Sequence, residues 1–351
     1  MRNILVTGGL GFVGRHLLEY LTTKDDQYYT NDVYVMDDLS GGKSLSKIKF
    51  YGHDLPTYGF LPLFASASPT HSFVLNNTIV RLCLDPVEVL RGSTLFNDIR
   101  FDEIYHLAAT VGGRKNIDGD PLSISRNMGT DATLLHWALH KQKQARVLYA
   151  SSSAAYPKGL QMGIRNEDLL LQEDDVNASY PVWDLPDQTY GLSKLVGERS
   201  VADAVAGGLS VGVVRPFAGY GPDQDDTYPL PAIAKRVLKG DDPVVVWGSG
   251  LQERGFVHIS DVVEAMVLVC RGESQGTPYN ICSGDGVNFT AIAKMLIALE
   301  GHRRPAVTPL SDMPAGVDRR VGDPTRIREK FGWKPKISLE EGLQQLLDHL
   351  R

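Results

Sequence analysis

The chain has 351 residues, enough for one large α/β domain with an appended lobe or for two domains. Hydrophobic residues make up 42% and charged residues 22%, the proportions of an ordinary globular protein, and a formal net charge of −6 without a basic stripe argues against a nucleic-acid partner. No basic segment leads into an apolar one and no apolar run approaches the about 18 residues of a membrane span, so a cytoplasmic protein with neither signal peptide nor membrane partner is expected.

In chain order, "RNILVT" at 2–7 is a short β-forming run that leads into "GGLGFVGRHLLEYL". There Phe12, Val13, Leu17, Leu18 and Leu21 fall at helical spacing, so the stretch reads strand, glycine turn, helix. Gly8, Gly11 and Gly14 stand three apart, a variant of the dinucleotide fingerprint. Gly8 permits the tight turn, Gly11 lets the backbone approach a pyrophosphate, and Gly14 lets helix and strand pack closely. The free N–H groups of the helix start face the anion.

The second strand, "DVYVMDD", ends in Asp37 and Asp38. A carboxylate there suits a ribose diol and repels the extra phosphate of NADP, so NAD is the expected cofactor. The segment 41–77 shows no clear periodicity. It is open between a flap over the substrate and a surface insertion. A third strand arrives at "TIVRLCLD", placing Asp85 against the adenine, and a fourth at "FDEIYHLAAT". At that strand's end the small Ala108 and Ala109 suit close passage of a cofactor. A helix around "NMGTDATLLHWALH" and a fifth strand, "ARVLYASSSAAY", follow. The alternation predicts a Rossmann-type, doubly wound parallel sheet. The three cysteines, Cys83, Cys270 and Cys282, lie far apart in apolar contexts and read as buried thiols; no metal site is expected.

"DQTYGLSKLVGE" carries the chemistry. Tyr190 and Lys194 are four apart on one helical face, where an ammonium favours phenolate over phenol. An unperturbed tyrosine with a pKa of about 10 needs roughly three units of lowering to act as a base near neutrality. Lysine supplies part of this and a positively charged nicotinamide adds to it. Gly191 is expected to leave room for a ring, and a serine hydroxyl at the end of the fifth strand completes the group. The implied reaction is hydride transfer between a sugar or alcohol carbon and nicotinamide, with Tyr190 moving the proton.

After "SVGVVRPFAGYGP" the chain builds a smaller lobe: a helix at "PAIAKRVLKG", a strand at "PVVVWG", a helix at "ISDVVEAMVLVCRG", and helices at 289–300 and 338–350. The expected division is a cofactor domain at 1–180, with elements continuing to about 221, and a mainly substrate-binding lobe at 222–351.

"TGGLGFVG", "HLAA", "YASSSAAYP", "YGLSK", "RPFAGYGP", "WGSGLQERGFVHISDVVEA" and "RRVGDPTRIREKFGWKP" occur in the order seen in extended short-chain dehydrogenases/reductases. Nearly the whole chain outside 41–77 resembles their nucleotide-sugar epimerase/dehydratase family. The resemblance implies NAD, a nucleotide-diphosphate sugar and a homodimer formed through helices near 123–140 and 188–206. It gives the catalytic hydroxyl to Ser152, with Ser153 the alternative and a substrate contact, beside Tyr190 and Lys194. Phe12, Val13, Leu107, Asn127 and Pro216 join the glycines, the acids and the alanines around the cofactor. Gly112 and Gly113 face the sugar, and Arg254 and Arg320 hold its diphosphate, with Arg319 competing for the latter role. Guanidinium groups suit that bidentate task.

Such enzymes begin by oxidising the sugar at C4. The acidic pair of 4,6-dehydratases is replaced here by Ser153 and Ala154. The pattern is similar to GDP-mannose 3,5-epimerase, yet the acid–base cysteine of that enzyme corresponds to Ala154, and its lysine after "YGP" gives way to acids and Tyr228. C4 epimerisation of a nucleotide hexose or heptose is therefore expected, with net 4-oxidation or reduction, or 3,5-epimerisation by other groups, as alternatives. A fold retained only for NAD-dependent regulation would be expected to have lost the Tyr–Lys pair. The asparagine frequent after "RPF" is Ala218, so the sugar-phosphate pocket differs.

Overall fold

The computed structural model describes residues 2–23, 31–40, 49–50, 53–54, 70–75, 78–92, 94–111, 122–163, 169–176, 186, 189–301, 305–313 and 315–351. Eight strands form the main sheet: β1 (Arg2–Thr7), β2 (Asn31–Met36), β3 (Thr70–Leu75), β4 (Thr78–Cys83), β5 (Glu103–His106), β6 (Arg146–Ala150), β7 (Ser210–Pro216) and β10 (Gln275–Ile281). Their spatial order is β10-β7-β6-β5-β1-β2-β4-β3. Seven run parallel, and β3 pairs antiparallel with β4 at the edge. Strands covered on both faces read as continuous apolar runs: Ile4, Leu5 and Val6 are all fully buried.

Helices cover both faces. On one, Leu17, Leu18 and Leu21 of α1 (Phe12–Thr23) share a core with Val262, Met266 and Val269 of α5 (Ile259–Gly272). On the other, Leu134, Trp137 and Ala138 of α2 (Ser123–Lys141) pack with Val201 and Ala204 of α3 (Thr189–Ala206). A separate core joins α4 (Pro229–Lys239), strand β8 (Val244–Trp247), α6 (Phe289–Glu300) and α7 (Leu339–Leu350). Burial of each apolar helical stripe is what stabilises these layers, at about 25 cal/mol per Å² removed from water.

The edge strand β3 corrects the aperiodic reading of 41–77 at residues 70–75. Its register places Leu75 opposite Thr78, so "SFVL" and "TIV" flank Asn76 and Asn77, a pairing signal hidden by the irregular sequence before it. Most of the remainder of 41–77 lies outside the described residues, as do Gly112 and Gly113. All three cysteines are buried and free. Among the described residues, no helix is long and apolar enough to cross a membrane.

Candidate active site

The sheet order reverses at β1, which has β2 on one side and β5 on the other. Helices leave to opposite faces there, and the carboxyl ends of the strands open a crevice. Gly8 sits in that opening with φ +68°, a backbone that L side chains rarely adopt, and a Cβ on it would fall 2.7 Å from the Ala108 amide nitrogen. A Cβ on Gly14 would come within 2.5 Å of the Gly9 Cα, so α1 crosses the turn at backbone contact. The turn is held from beside it: Asp37 Oδ2 accepts from the Leu10 amide and Oδ1 from the Leu39 amide, both at 2.9 Å. Burial pushes the Asp37 carboxyl up, against those two hydrogen bonds. Asp38 is exposed and caps the Ser40 amide, and Asp85 accepts from the Cys83 thiol. Phe12 and Val13 are half-buried at the first turn of α1. Leu107 continues the β1–β5 ladder by donating to the Thr7 carbonyl, and Pro216 closes β7. A glycine turn with no room for added side chains, bordered by the small Ala108, fits a dinucleotide.

Ala109 packs against Ala154 and Tyr190, so the cradle and the start of α3 adjoin. After β6 the chain makes a single tight turn, in which the Ser152 hydroxyl accepts from the Ala154 amide at 3.0 Å. The same hydroxyl acts on the Tyr190 phenol, favouring its ionised form. Ser151 turns away to Glu198, and Ser153 is buried. Lys194 Nζ lies 5.9 Å from the centre of the Tyr190 ring and 5.0 Å from that of Tyr149. Asn127 is buried and fully engaged: it accepts from the Thr110 amide at 2.7 Å, donates to the Thr110 carbonyl, and donates to Ser193, which in turn donates to the Tyr190 carbonyl. It clamps the strand end to α3.

Two expectations are corrected here. The Tyr190 phenol is not acidified in the protein alone. Burial raises its pKa, the Ser152 hydroxyl opposes this, and the Asp131 charge raises it further. Burial also lowers the pKa of Lys194, against Asp131 and Glu198, so desolvation outweighs the attraction expected between phenolate and ammonium. Secondly, Gly191 makes room for protein rather than for a ring. A Cβ there would lie 2.8 Å from both the Ala154 carbonyl carbon and Pro186 Cβ, and closer still to the Ala154 oxygen.

A network with no counterpart among the sequence motifs backs this face. Thr7 Oγ is 2.8 Å from His106 Nδ1, His106 Nε2 is 3.0 Å from Asp131 Oδ1, and the Tyr149 hydroxyl donates to Asp131 Oδ2 at 2.6 Å. The available signal was an acid in an apolar helix four residues after Asn127, and so on the same face.

Away from the main sheet, β9 (Glu253–Arg254) pairs in parallel with β11 (Arg319–Arg320), setting Arg254 beside Arg320. Alternation puts Glu253 and Arg319 together on the opposite side, where they form an ion pair. Arg320 Nε donates to Gln161, and the Arg254 guanidinium lies over the Phe289 ring. Tyr228, at the start of α4, interacts electrostatically with Tyr190; burial raises its pKa first, then Tyr190 and Asp225. Among the described residues, no group of three or more His, Cys, Asp or Glu could hold a metal ion.

Residues 4–282 match the family described as NAD dependent epimerase/dehydratase. UDP-N-acetyl-alpha-D-glucosaminuronate decarboxylase of Bacillus cytotoxicus is 27% identical over 359 residues, covering 100% of this chain and 98% of the relative. GDP-mannose 3,5-epimerase 1 of Oryza sativa is 28% identical over 251 residues, 69% of this chain and 63% of the relative. The structure of UDP-glucose 4-epimerase with UDP-glucose from Thermotoga maritima superposes with a TM-score of 0.77 at 23% identity, over 99% of this chain and 98% of that one.

Proposed function

Because the chain belongs to the NAD dependent epimerase/dehydratase family, we propose that it oxidises a nucleotide-diphosphate sugar at C4 and returns the hydride to the opposite face, a C4 epimerisation. The observation that carries this is the buried Tyr190 with the Lys194 ammonium 5.9 Å from its ring centre, the Ser152 hydroxyl acting on its phenol and the inert Ala154 packed against it. Gly8, Gly11, Gly14, Asp37, Asp38, Asp85, Ala108 and Ala109 would hold NAD. NAD would supply a hydride acceptor and, when oxidised, a positive charge beside the phenol. Ser152 orients the C4 hydroxyl, Tyr190 takes its proton, and the Lys194 ammonium stabilises the phenolate as it forms. Arg254 and Arg320 would grip the diphosphate as a two-guanidinium clamp. Ala154 offers no proton to a neighbouring carbon, which favours return of hydride to C4 over exchange at C3 or C5.

A second reading has its own support in the whole-length similarity to a uronate decarboxylase. Were the substrate a uronic acid, a C4 ketone would stand β to the C6 carboxylate. The C5–C6 bond would then break, its electron pair entering the enolate, carbon dioxide would leave, and C5 would take a proton before C4 regained hydride. The same Ser152, Tyr190 and Lys194 serve that sequence, and Tyr228 is the nearby phenol that could protonate C5.

The test is to incubate the purified protein with NAD and a panel of nucleotide hexoses, heptoses and uronates, following products by NMR and mass spectrometry. Inversion at C4 without NADH accumulation is expected. Loss of carbon dioxide selects the second reading. Inversion at C3 or C5 alone, or stoichiometric NADH, overturns both. A homodimer through α2 and α3 belongs to the same proposal, supported by the exposed Leu122 and Met128 at the start of α2.

A further inference from the structure

The buried network behind the Tyr190–Lys194 pair has a direction. An ionised carboxylate only accepts hydrogen bonds, so Asp131 fixes the donors around it. His106 Nε2 donates to Oδ1 at 3.0 Å and the Tyr149 hydroxyl donates to Oδ2 at 2.6 Å. His106 Nδ1 then accepts from the Thr7 hydroxyl at 2.8 Å, and Thr7 accepts from the Ala108 amide beside the glycine turn. Every proton in the chain points toward Asp131. The carboxylate is 1% exposed and Lys194 is 2% exposed.

The ammonium does not touch the carboxylate directly. Lys194 Nζ sits 5.0 Å from the centre of the Tyr149 ring, and that ring's hydroxyl is what holds Asp131 Oδ2. A cation over an aromatic face whose edge donates to an anion makes a three-part stack, ammonium, phenol and carboxylate. The backbone of α3 is shaped around it: a Cβ on Gly197 would fall 2.6 Å from Asp131 Oδ2 and 2.5 Å from Tyr149 Cζ. Nothing larger than glycine fits there.

We propose that Asp131 is a positioning residue, the buried counter-ion that, through Tyr149, seats the Lys194 ammonium against Tyr190. An uncompensated ammonium in that site would lose its proton or leave, because isolated buried charge is costly. Asp131 lies on α2. The titratable groups facing it are Lys194 and Tyr190 from α3, His106 from β5 and Tyr149 from β6. Those facing Lys194 are Asp131, Glu198, Tyr149 and Tyr190. Glu198 is already paired with Arg215. Burial acts to raise the Asp131 pKa, but Lys194, then His106 and Tyr149, outweigh it and hold the carboxyl below the usual range. Its charge in turn raises the pKa of both Lys194 and Tyr190.

The proposal rests on Tyr190 and Lys194 being the proton-transfer pair and does not depend on the fate of the ketone. The test compares pH profiles of kcat/KM for the full chain with NAD, in the wild type, Asp131→Asn, Tyr149→Phe and Tyr190→Phe. Asparagine keeps the shape and removes the charge, so both limbs of the bell move to lower pH by at least about one unit. Tyr149→Phe keeps the ring and the Asp131 charge but removes the hydroxyl that holds the carboxylate in place, so the limbs move by less. Independently of turnover, the tyrosinate absorbance that disappears with Tyr190→Phe develops at lower pH in the Asp131→Asn background. A drop in amplitude with unmoved limbs and an unmoved tyrosinate titration would overturn the proposal. If Asp131→Asn does not fold, unmoved limbs in Tyr149→Phe overturn it equally. Full activity in Tyr190→Phe sinks the underlying reading; an inactive Tyr190→Phe with unmoved Asp131→Asn limbs sinks this inference alone.

Discussion

Replacing Gly191 with alanine separates catalytic placement from helix propensity. The substitution should favour the helix, since alanine is better than glycine in a helix interior by about 0.5–1 kcal/mol. At Gly129, also helical, with nothing within 4 Å of an added Cβ, that gain is all that is expected, and Gly129→Ala should raise the melting temperature by a few degrees. At Gly191 the added methyl lands 2.8 Å from the Ala154 carbonyl carbon and Pro186 Cβ, where ordinary contact begins at 3.4 Å. The Ala154 obstacle is backbone of the turn that carries Ser152, so no flexible side chain can swing away. The start of α3 must withdraw, and Tyr190 is the residue immediately before Gly191. Overpacking of this kind costs about 1–3 kcal/mol, and an ångström of misplacement at a reacting group costs on the order of a hundredfold in rate. Gly191→Ala should therefore lower both the melting temperature and kcat/KM, the latter by about a hundredfold, while NAD affinity changes little. Calorimetry, NAD titration and steady-state kinetics on both variants measure this. A Gly191→Ala protein with wild-type kcat/KM would refute the assignment of Gly191 as the contact that fixes Tyr190 against Ser152.

Activity should climb with pH across the neutral range, about tenfold per unit, because burial holds the Tyr190 phenol above its ordinary pKa and the phenolate fraction grows as protons are removed; it should level off once Lys194, held below its ordinary value, loses its charge, because the two fractions then change in opposite directions. A profile flat through neutrality would contradict this. Asp37→Ala removes the acceptor of the Leu10 and Leu39 amides, so NAD affinity measured by calorimetry should fall roughly ten- to a hundredfold, in line with roughly 1.5–3 kcal/mol for a charge-assisted hydrogen bond. The neighbouring arginines should part company: Arg319→Ala strands Glu253 and should lower stability by about 1–3 kcal/mol in denaturant titration, whereas Arg320→Lys should raise KM for the nucleotide sugar with little change in stability. Turnover in deuterated water distinguishes the two proposed outcomes: a C4 epimerisation leaves C5 unlabelled in wild type and in Tyr228→Phe alike, while C5 labelling that slows with Tyr228→Phe identifies decarboxylation.

Local pattern fixed the elements because helix and strand spacing are properties of adjacent residues. The run 2–7 and the helix at 289–300 have the bounds the sequence predicts, and the glycine turn was legible because only glycine tolerates φ +68° beside a strand. Tyr190 and Lys194 were legible for the same reason, one helical turn apart. What required the folded chain was everything set by desolvation and by distant partners. Thr7, His106, Asp131, Tyr149 and Lys194 come from five different elements and meet only because parallel pairing stacks β1, β5 and β6 beneath α2 and α3. The pairing of Arg319 with Glu253 likewise follows from a strand register between segments 66 residues apart. By itself the sequence determined which side chains could do the chemistry. Only tertiary structure decided their charge, since the cost of taking phenol, ammonium and carboxylate out of water depends on what surrounds them.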